Sequence, residues 1–423
     1  MRILASLIAV AALVWLARPA PAAGIPGPGG GPAADSGGLP ALLPIRSQVV
    51  SDTLETPPAP LLVPGRPGPG DSLGPNRPGR AHEQYRLGRS LELAGSPAAA
   101  ITAYRAAVRL DPTIPDANLR MGQLFLGRDQ LEEAVKCFAA EVLHHPGNVS
   151  ATRELGLALA RLGQTRRAIA QLESLTRRRP NDGDCWQALG FAYVIAKRPR
   201  AAEIALRRAI VLPPPRADKH RDLGAVLAAR GKEREAREQY QRAIALDPRD
   251  PTSWVNLGNL ERRGGRLERA LDDYREAERR DSSLALALQG EIETLRDLGR
   301  HDEAGAAYRR WLRVQPADHA ARLEAVRFFD SIGRRDIGVE VARDGVRWND
   351  RSGDAHLLLG MALASSGNPR AALGEIRKAE SLFTTAPERA RTRQLVAGLR
   401  AQAPDSLREL FAADSAEHVE EAR

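Results

Sequence analysis

Eight histidines and two cysteines are the side chains of this chain best suited to metal binding or nucleophilic attack, and their spacing supports neither. Cys137 and Cys185 make no Cys-x-x-Cys pair and fall in different helices of the pattern described below. A disulfide would need their Cα atoms within about 7 Å, so both are expected to be reduced packing residues. His144-His145 closes a helical segment, where imidazole meets terminal carbonyls more readily than a metal. The stretch from Gly224 to Lys232 imitates a phosphate loop, but its spacing is two residues too long and Glu233 replaces the Ser or Thr. No H-E-x-x-H or G-x-S-x-G occurs. The residues describe a chain that is not an enzyme, with no catalytic residue, no cofactor and no metal site.

The remaining reactive inventory is arginine. A total of 62 Lys+Arg against 53 Asp+Glu gives a formal charge of +9, and the lysines are limited to Lys136, Lys197, Lys219, Lys232 and Lys378. Guanidinium groups favour planar, bidentate contact with carboxylate or phosphate. Here they interleave with acids, as in Glu233-Arg234-Glu235 and Arg275-Glu276, the pattern of a solvated helix surface. No nucleic-acid partner is expected. Aromatic residues at 4% are thin material for one large globular core.

The elements that would position these groups begin after an address. Arg2 precedes an uncharged run from Ile3 to Ala17, followed by Ala20-Pro21-Ala22-Ala23. A positive start, a short apolar stretch and small exit residues predict a signal peptide over 1–22 and an exported, periplasmic or extracellular product. The alternative is a membrane tether made by the same helix left uncleaved. Residues 23–80 read as a linker, since Gly and Pro fill 25 of the 57 positions from Gly24 to Arg80 and cannot build a core. Two apolar islands interrupt it, Leu39 to Val50 and Leu61 to Val63.

From Ala81 the sequence overlays on itself at a shift of 34 residues, in nine repeats that start at 81, 115, 149, 183, 217, 251, 285, 319 and 353 and end at 386. The eighth position is Gly in seven of them, from Gly88 to Gly258 and again at Gly360. The fifteenth is Gly95, Gly163, Gly231, Gly265, Gly299, Gly333 or Gly367, a left-handed residue ending a first helix. The twentieth is Ala in eight repeats, and the twenty-fourth is bulky, as in Tyr104, Phe138 and Tyr240. The thirty-second is Pro in six, which stops the second helix. Each repeat is thus a helix, a tight turn and a second helix, and neither buries its apolar face without a neighbour.

This pattern resembles the tetratricopeptide repeat. The fourth repeat carries it as Trp186, Leu189, Gly190, Tyr193, Ala202, Leu206 and Pro214. The resemblance implies an all-α solenoid, a right-handed superhelix of helix-turn-helix units. The seventh repeat departs with Ile292 for its first Gly. The eighth departs most, with Val326, Gly338, Ala342 and Asp350, and predicts a loosened helix pair. Residues 387–403 fit a capping helix, and 404–423 a short helix with an acidic tail.

The resemblance also implies a concave groove lined by positions two, five, nine and twelve of each first helix. In the first three repeats these include Tyr85, Arg89, Leu119, Gln123, Arg153 and Leu157. The next three supply Gln187, Phe191, Arg221, Val255, Asn259 and Arg262, with Asn256 beside them. Gln289, Arg296, Leu323, Arg327 and Met361 follow. A two-carboxylate clamp known in the family is not reproduced, because Leu286 and Gly290 stand where cations are needed. The two asparagines are expected instead to bond an extended peptide backbone. Two readings stay open. One is an exported scaffold that binds extended or helical protein segments within a cell-envelope assembly. The other is an envelope factor whose arginines bind anionic glycans.

Overall fold

The computed structural model of the chain describes residues 77–401. The expected signal peptide over 1–22, the expected linker up to residue 76 and the segment from residue 402 onward lie outside the described residues. Among those described there are nineteen helices and no strand, in two compact units, 77–249 and 250–401. The first unit holds α1 (Arg77–Leu93), α2 (Pro97–Leu110), α3 (Ala117–Leu126), α4 (Leu131–His144) and α5 (Val149–Arg161). It continues with α6 (Thr165–Arg178), α7 (Gly183–Ile195), α8 (Pro199–Val211), α9 (Ala217–Ala229) and α10 (Glu233–Leu246). The second holds α11 (Pro251–Arg263), α12 (Leu267–Arg280), α13 (Ala285–Asp297), α14 (His301–Val314) and α15 (His319–Ser331). It closes with α16 (Arg335–Trp348), α17 (Gly353–Ser365), α18 (Pro369–Leu382) and α19 (Ala386–Ala401). Helix α1 starts at Arg77, so residues 77–80, expected in the linker, are helical.

The fifteenth position turns the chain in every repeat. All seven glycines there have positive φ, from +70° at Gly95 to +86° at Gly367. Where Gly is missing the backbone takes the same region at Asp129 (φ 57°) and Lys197 (φ 55°). First helices gain a further signal at the preceding residue. Asn148, Asp182, Asp250, Asp318 and Ser352 each accept a backbone N–H of the first turn, satisfying an otherwise orphaned donor.

Within a repeat, the bulky side chain at position twenty-four lies over the position-eight glycine. A methyl added to Gly88, Gly122, Gly224 or Gly258 would come within 3 Å of the ring of Tyr104, Phe138, Tyr240 or Tyr274. All eight alanines at position twenty are fully buried. The eighth repeat keeps this packing by exchanging sizes. Val326 stands in place of Gly and Ala342 in place of the bulky partner, and both are buried. Around them Tyr308, Phe328 and Phe329 form an aromatic cluster with ring centroids 5.2–6.5 Å apart. Among the described repeats, the helices of the seventh and eighth nonetheless meet least closely, in line with the looser pairing predicted from consensus loss.

Candidate functional site

In the unit 77–249, positions five and nine place Tyr85 and Arg89 on α1, Leu119 and Gln123 on α3, and Arg153 and Leu157 on α5. Gln187 and Phe191 follow on α7, and Arg221 on α9. Tyr85, Arg89, Arg153, Leu157, Gln187, Phe191 and Arg221 are half-buried, and Gln123 is exposed. Leu119 is withdrawn into the core, where the neighbouring helices close over it, and so is corrected from a groove residue to a packing one.

The polar groups of α7 and α9 are tied to one another. Gln187 Nε2 donates to Asp222 Oδ2 at 2.7 Å and to Asp218 Oδ2 at 3.3 Å. Arg221 Nε lies 4.0 Å from Asp222 Oδ1, and Arg216 forks onto Asp218. Burial pushes the Asp222 carboxyl up to about 6, against the opposing pull of Gln187 and Arg221. The sequence had not singled out Asp222. Its signal was the spacing of four from Asp218, which puts both carboxylates on one helix face. On α5, Arg153 pairs with Glu154 at 3.5 Å.

In the unit 250–401 the arginines of the first helices reach acids of the following repeat. Arg262 Nη2 lies 2.8 Å from Glu293 and its Nε 3.3 Å from Asp297. Arg296 Nη1 donates to Glu324 Oε1 at 3.0 Å and to the Tyr308 hydroxyl at 3.3 Å, with its guanidinium over the Phe328 ring. Gln289 Nε2 donates to Glu293 at 3.3 Å. Arg327 is half-buried and has no such partner, and loss of water holds its pKa below the ordinary arginine value.

The asparagine pair does not serve as expected. Asn256 is only 1% exposed, and neither atom of its carboxamide has a hydrogen-bond partner. Asn259 Oδ1 accepts the Tyr274 hydroxyl at 2.6 Å. Val255 packs with Trp254, Ala270 and Tyr274, and Met361 with Leu357 and Ile376. A neighbouring helix covers these positions, so Val255, Asn256 and Met361 are corrected to packing residues.

Among the described residues no group of three His, Cys, Asp or Glu is placed to hold a metal. Burial pushes the Cys137 and Cys185 thiols up to about 12, which disfavours the thiolate. A cleft of about 500 Å³ lies at the turns, lined by Arg178, Arg179, Asn181, Asp182, Asp184 and Pro213, with both signs of charge in its wall. No described helix is long and apolar enough to cross a membrane.

A family model described as the tetratricopeptide repeat matches residues 119–182, 154–217 and 221–285, and a second model of that repeat matches 81–124. No curated protein matches the chain. Among solved structures, a tetratricopeptide repeat protein from Parabacteroides merdae ATCC 43184 has a TM-score of 0.48 at 15% identity, over 59% of this chain and 98% of that one. A MamA fragment from Desulfovibrio magneticus RS-1 has a TM-score of 0.37 at 21% identity, over 40% and 96%. A thermophilic repeat protein from Thermus thermophilus has a TM-score of 0.37 at 22% identity, over 43% and 98%.

Proposed function

The chain is a tetratricopeptide-repeat protein and thus a scaffold for protein interaction, and we propose that it acts outside the cytoplasm without catalysing a reaction, holding extended or helical protein segments within an envelope assembly. The observation that supports a protein ligand is the state of the arginines on the first-helix faces. Arg262 and Arg296 are already neutralised by carboxylates of the next repeat, and Arg153 by its neighbour. An anionic glycan would have to break those pairs and leave the acids facing it. A protein segment can instead use Phe191 and Leu157, half-buried apolar groups of the first-helix series. Aromatic and arginine anchors carry most of the energy in typical interfaces. The Arg2-led apolar run supports export.

A photo-crosslinking residue at Gln123, in cells, tests this reading by identifying the captured chain. Phe191→Ala and Arg221→Ala should each reduce capture while helical content stays unchanged, and Arg242→Ala on the exposed face of α10 should do neither. Capture of a glycan, or capture that collapses steeply as salt rises, would favour the polyanion instead. Were Phe191→Ala to melt the helices with no separate effect on capture, the aromatic would be a packing residue and the face assignment would fall. A mature chain that retains Met1 in membranes would replace export by tethering.

A further inference from the structure

Arg327 breaks the rule that its neighbours follow. Its Nε and Nη2 are both shielded from solvent and meet no hydrogen-bond acceptor. Those two nitrogens share one edge of the guanidinium, the edge that grips a carboxylate through two parallel bonds. Acids within one turn are engaged elsewhere: Glu324 by Arg296 and Tyr308, and Asp330 by Arg335. In the next repeat, the positions equivalent to Glu293, Asp297 and Glu324 hold Met361, Ser365 and Leu358. A buried donor edge without an acceptor is costly and calls for an explanation. Among the described residues no acceptor meets it.

We propose that the C-terminal segment 405–417 of this same chain seats on the α15 face, with the Glu409 carboxylate received side-on by Arg327. Charge and continuity point to this occupant. Residues 402–423 carry six carboxylates against Arg408 and Arg423. Glu409 alone among those six is flanked by large apolar residues, Leu407, Leu410 and Phe411, which suit a surface of Leu323 and its neighbours. Val396 of α19 already packs on the cluster of Leu357, Met361 and Ile376 that also receives Leu323, one turn from Arg327. From Ala401 the chain needs eight residues to reach Glu409, an extended span of about 26 Å. Since Arg327 as a whole is half-buried, rotation of its long side chain exposes the fork without opening the repeat.

Hydrogen exchange of the full chain tests the pairing. Amides of 407–413 should exchange about tenfold more slowly than an unstructured reference. Arg327→Gln and Glu409→Gln should each abolish that protection, and the exchange of charges in Arg327→Glu with Glu409→Arg should restore it. Glu409 lies beyond α19, so its substitution reports on docking even if Arg327→Gln disturbs the eighth repeat. Reference-rate exchange in the parent would overturn the proposal, as would protection unchanged by Glu409→Gln or no recovery in the charge swap. Protection that grows with protein concentration would assign the site to a second copy and overturn it equally. No partner enters the readout, so this inference and the proposed function fail independently.

Discussion

Gly122→Ala on α3 and Gly374→Ala on α18 should move stability in opposite directions. Both glycines are helical, so each alanine gains about 1 kcal/mol of helix propensity. At Gly374 the new methyl meets nothing within 4 Å, and the gain stands unopposed. At Gly122 it would lie 2.4, 2.7 and 2.8 Å from Cε1, Cδ1 and Cζ of Phe138. Carbon atoms rest about 3.5–4.0 Å apart, so the ring must retreat by about 1 Å. Phe138 is fully buried, and overpacking of this kind costs about 1–3 kcal/mol. The propensity gain is common to both variants, so they should differ by that ~1–3 kcal/mol. A melt of the whole array is a poor assay, because repeats coupled to nearest neighbours need not unfold in one step. Exchange of the α3 and α4 amides should accelerate in Gly122→Ala, and that of α18 should slow in Gly374→Ala. Slower exchange in Gly122→Ala would refute the reasoning, since the ring would then have room that the packing denies it.

Lys197→Gly should stabilise the α7–α8 pair by about 1 kcal/mol, because a side chain at φ 55° carries a strain that Gly lacks; local exchange reads it. Asp222 is raised to about 6 when folded, so its contribution is fully present below the usual carboxylate pKa and is lost as pH rises through about 6. Asp222→Asn should therefore flatten the pH dependence of α7 and α9 protection between about pH 4 and 6, and carboxyl NMR should place the titration. Glu203→Gln should cost on the order of 3 kcal/mol in a local unfolding measurement, since the buried carboxylate is shared by Arg207, Arg230 and Lys232, which would lose their common anion.

The period, the helix pairs and the turn were legible in the chain because each rests on a local constraint. A left-handed residue at position fifteen carries strain unless it is Gly, and seven repeats place Gly there. Proline at thirty-two and the small residue at eight are equally local statements about backbone and bulk. Even so, two local signals went unread: the capping side chains before the first helices, and the complementary sizes of Val326 and Ala342. Those sizes keep both positions buried, while the helices of that pair still meet less closely than most, as consensus loss predicts.

The face itself was less legible. Its positions could be counted along a helix, but not the angle at which the next helix lies against them. That angle buries Val255 and Asn256 and leaves Arg153 and Phe191 half-buried. It also decides which arginine finds an acid, because Arg262 meets Glu293 and Asp297 across a repeat boundary while nothing adjacent in sequence marks the pair. Arg327 reads in the chain like any other arginine of the series. Only when the helices are stacked does it stand with a buried, unanswered fork, because ion pairing depends on distances between helices and helical periodicity constrains distances within one.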